Sequence, residues 1–381
     1  MPPNGFTPRQ FRDLSWIRGA LQTAIALEHS TMPLYTAAMY SLEVQNYPSY
    51  NTIRSELMEE MLHMAAVCNI VAALGGSPRI RSLKPALPGA GLPGKVAPDL
   101  QAVLAPLSAP QLENFMRIEA PAFLLTRNQR DSGYPTIGAF YDVIRDAVVS
   151  NAAAVRGAVR AGGPGNQVGG NLGYRTIVPA AGVDPVDELL AAFDMITEQG
   201  EGEPVASIET GKDFQKEQSH YARFAELRYG RRYRQPDPPV GLTRETEASY
   251  FQGEEIAWPV VINTLAVPAD GYAAILALDP DAAEVTRQLE AFDAAYTAMM
   301  TALDDAWNGP AARSWPSLGE AVIQMNEMRV LSCFNILRHQ VPESVVERLP
   351  QLYPAEHRML ARYTDLKRPV FYGPRFVNRA A

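Results

Sequence analysis

Cysteine is nearly absent. Only Cys68 and Cys333 occur in 381 residues, and both lie in apolar stretches that read as helices. Buried free thiols are therefore expected rather than a disulfide, and a cysteine-rich zinc site is excluded. Basic charge is also short, with 34 Lys and Arg against 42 Asp and Glu and a formal charge of −8. That balance argues against a general nucleic-acid binder, which needs a basic face to displace phosphate counterions. No apolar run approaches the length that spans a bilayer. The opening stretch MPPNGFTPRQFRDLSW carries neither a leader pattern nor a transit-peptide bias, so a cytoplasmic location is expected. No Gly-x-Ser-x-Gly elbow presents a serine nucleophile, and no Gly-x-Gly-x-x-Gly follows a predicted strand.

What is present is a normal globular composition, 47% apolar and 20% charged, with material for a large core. The length suggests two domains, or one with additions. Prolines number 31 and glycines 27, so ordered loops are expected between helices. Ile17, Leu21, Ile25, Met32 and Leu42 trace one stripe of a helix over 13–44, stopped by Asn46-Tyr47-Pro48-Ser49. Ile53, Leu57, Met61, Met64, Val67 and Ile70 trace a second over 51–75, closed by Gly75-Gly76. The short connection makes the two an antiparallel hairpin. Residues 77–110 read as loop. Further helices are predicted at 109–127, 137–161, 184–202, 212–229, 280–307 and 317–338, with a turn at Ser132-Gly133-Tyr134-Pro135 and a connector from Ala161 to Gly173. Short extended pieces are expected at 260–262 and 370–372. The fold class is mainly α: a bundle over 12–232 with a crossover insertion, and a helical extension over 245–381 that packs on it.

Of the five histidines, two close a Glu-x-x-His unit: Glu60-Met61-Leu62-His63 and Glu217-Gln218-Ser219-His220. On a helix, positions three apart share a face, so one ion or a close pair can meet both side chains. Leu57, Met61, Met64 and Val67 surround the first unit, and Glu28 falls on the apolar stripe between Ile25 and Met32. A bare carboxylate in such a place costs several kcal/mol unless it is paired or bound to metal. A Glu on one helix and Glu-x-x-His on the next, given twice, is the ligand plan of carboxylate-bridged di-iron or di-manganese bundles. Glu28, Glu60 and His63 complete one half. Glu217 and His220 begin the other and need one more glutamate. Glu119, Glu198 and Glu201 are the candidates, and spacing does not choose among them.

The sequence also resembles the ferritin-like family that includes iminophenyl-pyruvate dimer synthase of the violacein pathway. The resemblance rests on Leu27-Glu28-His29-Ser30-Thr31, Glu59-Glu60-Met61-Leu62-His63-Met64, Ile118-Glu119-Ala120-Pro121 and Thr136-Ile137-Gly138-Ala139-Phe140-Tyr141. It continues through Glu198-Gln199-Gly200-Glu201-Gly202 and Glu217-Gln218-Ser219-His220-Tyr221-Ala222-Arg223-Phe224. These blocks cover about residues 15 to 230, and Ser317-Leu318-Gly319-Glu320-Ala321 extends the likeness more weakly. The resemblance implies a ferritin-like four-helix bundle with a metal site at the matching glutamates and histidines.

The expected cofactor is a pair of iron ions, with manganese the alternative. Such a site leaves coordination positions open to O₂ or substrate. Met32, Tyr35, Met61, Met64 and Tyr221 stand at spacings that line such a cavity or fill the core, and Tyr221 beside His220 is a candidate relay in catalysis. His29 points about 100° from Glu28 and is not a ligand candidate. The long insertion and the C-terminal extension favour a small-molecule enzyme over a compact iron store. The expected activity is a metal-dependent oxidase or oxygenase acting on a small, amino-acid-derived or aromatic metabolite, with O₂ and an external electron donor as partners. A coupling enzyme like the dimer synthase and a non-catalytic iron-sequestering protein are the alternatives. Self-association into a homo-oligomer is left open; nucleic acid and membrane are not expected partners.

Overall fold

Asp13 starts the first helix by accepting a hydrogen bond from the Trp16 amide at 2.9 Å, the N-cap arrangement that satisfies an otherwise orphaned donor. In the computed structural model of the protein this helix, α1, runs Leu14–Tyr40, and α2 follows at Pro48–Ala73. The structure describes residues 12–44, 47–85, 89–131, 133–162, 167–169, 176–177, 183–202, 207–209, 217–238 and 240–380. Pro48 opens α2 where its missing N–H costs nothing, and Gly75, with φ +73°, takes the left-handed turn that closes it. Arg18 reaches the Leu74 carbonyl and Thr31 reaches Glu60, so the partners run in opposite directions and the pair is the expected antiparallel hairpin.

Residues 77–110 are less irregular than expected. Gly89–Leu92 (β1) and Val96–Ala102 (β2) form an antiparallel hairpin around Gly94 (φ +76°). The Gly-rich run from Gly89 to Gly94 therefore belongs to a strand hairpin. Its pairing is made by backbone groups, which side-chain periodicity does not report.

Next, α3 covers Ala109–Ile118, shorter than predicted because Pro121 forbids continuation. A 3₁₀ turn at Ala122–Leu124 and α4 at Arg127–Arg130 replace the remainder. The single helix expected over 137–161 is broken at Asn151 into α5 (Ile137–Ser150) and α6 (Ala152–Gly162). α7 spans Pro185–Glu201, capped by Asp184 with Pro185 in its first turn as expected. α8 spans only His220–Tyr229 because Ser219, not a residue near 212, is its cap. Ser132, residues 163–166 and 170–173 of the connector, and residues 212–216 lie outside the described residues.

The C-terminal region adds α9 (Ala273–Leu276), α10 (Ala282–Asn308), α11 (Ser314–Val330), α12 (Glu343–Val346), α13 (Leu349–Leu352) and α14 (His357–Tyr363). A five-residue π turn, Leu331–Asn335, prolongs α11. The extended pieces exist as single bridges: Val261 pairs with Leu42, and Phe371 with Thr264 and Gln340. α10 and α11 form a second long hairpin. Buried side chains of both hairpins, of α5 and α7 and of the C-terminal tail join in one continuous apolar cluster. A smaller cluster of Leu124, Ile208, Tyr221, Ala225, Tyr250 and Phe251 surrounds α8. Buried Asp293 on α10 receives Arg375 at 2.7 Å and the Val377 amide at 3.1 Å, which pins the tail. Cys68 and Cys333 are free thiols. Among the described residues, no helix is long and apolar enough to cross a membrane.

Phe292 packs edge-on against Phe376 with centroids 4.9 Å apart and is fully buried. Phe292→Ala should lower unfolding free energy by about 3–5 kcal/mol, measured by urea denaturation followed by circular dichroism. A loss below about 1 kcal/mol would show that the tail does not share the bundle's core.

Candidate metal centre

The middle of the α1–α2 hairpin carries an unusual load for a helical interior. Glu28, Glu56, Glu60, His63, Glu119 and His220 are each at most 2% exposed. Glu28 projects from α1; Glu56, Glu60 and His63 project from α2 on positions three and four apart, hence on one face. Glu119 stands at the C-terminal end of α3, and His220 is the first residue of α8. Helix ends and helix middles thus converge on one point.

Among the described residues the ligand-type atoms form three groups: Glu56, Glu59 and His220 make one, and the other two are triads that share a carboxylate. Glu28, Glu60 and His63 form the first; Glu60, Glu119 and His220 form the second. In each triad the imidazole presents Nδ1. His63 Nδ1 is 3.4 Å from Glu60 Oε1 and 3.9 Å from Glu28 Oε2. His220 Nδ1 is 3.1 Å from Glu60 Oε1 and 3.7 Å from Glu119 Oε2, yet it makes no aligned hydrogen bond. The rings lie nearly parallel, 5.5 Å apart.

The opposite ring nitrogens are anchored. His63 Nε2 meets Gln199 Oε1 at 2.8 Å. His220 Nε2 meets Glu59 Oε2 at 3.0 Å and Glu56 Oε2 at 3.1 Å. Arg223 Nη1 holds the far oxygens of those two carboxylates at 2.8 and 3.2 Å. Metal-binding histidines are commonly fixed in this way, with the non-ligating nitrogen held by a carboxylate or amide that sets the tautomer. The ligand carboxylates are held too: Tyr141 donates to Glu28, Thr31 to Glu60 at 2.8 Å, and Tyr35 to Glu119.

Burial and the neighbouring charges act on these groups in opposite senses. Burial, then the Glu60 charge, pushes Glu28 up to about 8, and burial pushes Glu56 up to about 7. Burial works in the same sense on Glu60 and Glu59, but there the imidazoles prevail. His220 and His63 hold Glu60 well below the usual range, and His220 with Arg223 holds Glu59 down at about 2. Desolvation alone would lower both histidines; the surrounding carboxylates raise them instead. Three buried carboxylates, two anchored imidazoles and an unaligned Nδ1 make a donor set that could hold a metal ion.

Beside Glu28, Glu60, His63 and Glu119 lies a cavity of about 10 Å³, closed by Ile137, Gly138, Ile196, Thr197, Gly200 and Glu201. That is room for one water-sized molecule. A Cβ on Gly200 would come within 3.2 Å of Glu119 Oε2, so the glycine keeps that side open.

Comparison with known proteins bears on the family and the fold. A ferritin-like family model matches residues 21–229, more than half of the chain. The chain belongs to the ferritin-like family. A ferritin-like protein from Caulobacter vibrioides has a similar structure, with TM-score 0.55 at 24% identity, covering 83% of this chain and 94% of that one. This likeness concerns the fold. None of the curated proteins compared with the chain matches it.

Within this ferritin-like frame, several residues stand apart from their expected positions. Glu217 is 63% exposed on its side chain and faces Arg223 at 3.5 Å. It precedes the Ser219 cap, so it shares no helical face with His220, and the three-residue spacing loses its meaning. Glu201 is outside both triads. Its carboxylate accepts from the Gly138 amide at 2.6 Å at the start of α5, and burial raises it to about 8. Glu198 is half-buried and in neither triad. Glu119 occupies the contested position. Tyr221 turns into the smaller apolar cluster, where its hydroxyl pairs with Glu247, so it is not beside the triads; Tyr35 and Tyr141 are. Glu56 and Glu59 were missed, although Glu56 sits one helical turn before Glu60, which was the available signal.

Metal analysis of purified variants tests this assignment. Glu60→Ala should lose both ions and His220→Ala at least one of the pair, while Glu217→Ala should keep the wild-type load. Loss of metal in Glu217→Ala with retention in His220→Ala would reverse the ligand set.

Proposed function

We propose that the protein is a dinuclear-metal oxidase or oxygenase that acts on a small metabolite, amino-acid-derived or aromatic, with iron the metal and manganese the alternative. The observation that carries this proposal is the sharing of Glu60 by two triads whose imidazoles are both anchored at Nε2. Two bound ions would supply redox chemistry toward O₂ or peroxide. The chain's own residues bind, orient and exclude. Glu28 and His63 would hold one ion and Glu119 and His220 the other, with Glu60 available to both triads. Tyr35 and Tyr141 place phenolic protons on the outer carboxylates, where they orient each ligand oxygen and can follow a change in its charge. Ile137 and Ile196 close one side of the adjoining cavity, whose volume admits only a diatomic or a water.

The metabolite class rests on the resemblance of the motif blocks to the dimer-synthase relatives. A coupling enzyme without net oxygen insertion is the alternative within that chemistry. A second reading, consumption of peroxide or sequestration of iron, draws on one observation: the cavity beside the triads admits only a very small reactant.

Iron-loaded protein should consume O₂ faster when the right amino-acid-derived or aromatic acid is added, and chelation should stop it. Tyr35→Phe should retain metal and lose about 10–100-fold in that rate, the usual cost of removing an orienting partner. Oxygen uptake that no metabolite stimulates, together with iron loads that climb well beyond a pair per chain, would overturn the oxidase assignment in favour of storage.

A further inference from the structure

A much larger cavity than the one beside the triads lies elsewhere among the described residues. A slot of about 510 Å³ separates the α1–α2 hairpin from the α10–α11 hairpin. Packed interiors hold few voids larger than a water, whereas apolar clefts of this volume with a few polar groups are the usual form of a ligand site.

Three features define its occupant. The slot is elongated: α10 lines it from Tyr296 to Trp307 and α11 from Leu318 to Arg329, about 16 Å each at the helical rise. Its walls are apolar and adaptable, for nine of the thirteen methionines line it, and methionine adjusts its shape to a ligand at little cost. Its charge is of one sign. Arg54 and Arg329 are lining residues, and no aspartate or glutamate is. Arg54 is exposed and, among the described residues, makes no ion pair.

The polarity is arranged along the length. Arg329 lies close enough to Tyr40 to influence its hydroxyl, and Tyr40 in turn neighbours Tyr50, so the cationic end is the end where α1 meets α2. The opposite end is shut by Trp307, whose Nε1 donates to Asn69 Oδ1 at 2.9 Å. Met58 and Val322 at the rim are 49% and 50% exposed, which leaves a way in.

We propose that this slot binds one medium- to long-chain alkyl carboxylate, its chain between the hairpins and its acid group at Arg54 and Arg329. The site is independent of the metal centre. Glu28, Glu60 and His63 serve the triads, while the next residues in the chain, His29, Met61 and Met64, line the slot. The hairpin itself is the wall between the two.

The test is calorimetric titration of the full chain with dodecanoate, and with dodecyltrimethylammonium as the oppositely charged probe. One dodecanoate per chain should bind, with the cation at least about tenfold weaker. Arg54→Gln should weaken dodecanoate roughly tenfold, the loss of one charge-assisted contact. Met325→Trp, which fills the slot, should abolish binding, and Glu60→Ala should not alter it. Absence of dodecanoate binding, equal affinity for the two probes, or full binding by Met325→Trp would overturn the proposal. So would a stable dimer by light scattering that Val322→Glu dissociates, because a second copy would then cover the slot.

Discussion

Glu60 sets the terms for the rest of the molecule. Its carboxylate is buried between two imidazoles and within reach of two further glutamates, an arrangement that like-charge repulsion and desolvation both oppose. It persists because every participant is tied from behind. Thr31, Tyr35 and Tyr141 hold the carboxylates, and Gln199, Glu56 and Glu59 hold the histidines. Bound cations would offset the like charge that these carboxylates bring together. A cluster of this kind is weak support for stability and strong support for a site.

The architecture follows from the need to bring those groups together. A long antiparallel hairpin supplies Glu28, Glu60 and His63 from the rigid middle of two helices. Shorter elements then deliver one residue each from a helix end, Glu119 where α3 stops before Pro121 and His220 where Ser219 starts α8. Gly138 and Gly200 keep the neighbouring α5 and α7 backbones near the carboxylates, since a Cβ on either would crowd Glu201 or Glu119. On its other face the same hairpin is lined with methionines and meets the C-terminal helices, so one structural unit carries two environments of opposite polarity.

The hairpin half of this plan was legible in the sequence. Both helices are long and periodic, and Glu28, Glu60 and His63 fall on stripes where a charged group has no business without a partner. The other half was obscured at helix ends. The spacing of Glu217 and His220 is informative only on a continuous helix, and the Ser219 cap, itself a good helix-start signal, removes Glu217 from it. Glu119 could not be ranked above Glu201 because its position depends on how α3 terminates. Glu201 is half-buried and serves the α5 N-terminus through the Gly138 amide. Tyr221 adjoins His220 in sequence and turns away from it in space, as consecutive helical residues do; Tyr35 and Tyr141 reach the site from distant segments that no local pattern connects. The β1–β2 hairpin was hidden for a different reason, since its pairing is made by backbone within a Gly- and Pro-rich run.

The family to which the chain belongs hosts different chemistries on one fold, so function must be argued from the site. The proposed dinuclear reading turns on Glu60, which two ions would share. Crystals of iron-loaded protein, measured at the iron absorption edge, test it most directly. The account predicts two anomalous peaks flanking the Glu60 carboxylate, one beside Nδ1 of His63 and one beside Nδ1 of His220. A single peak, or peaks removed from Glu60, would contradict it.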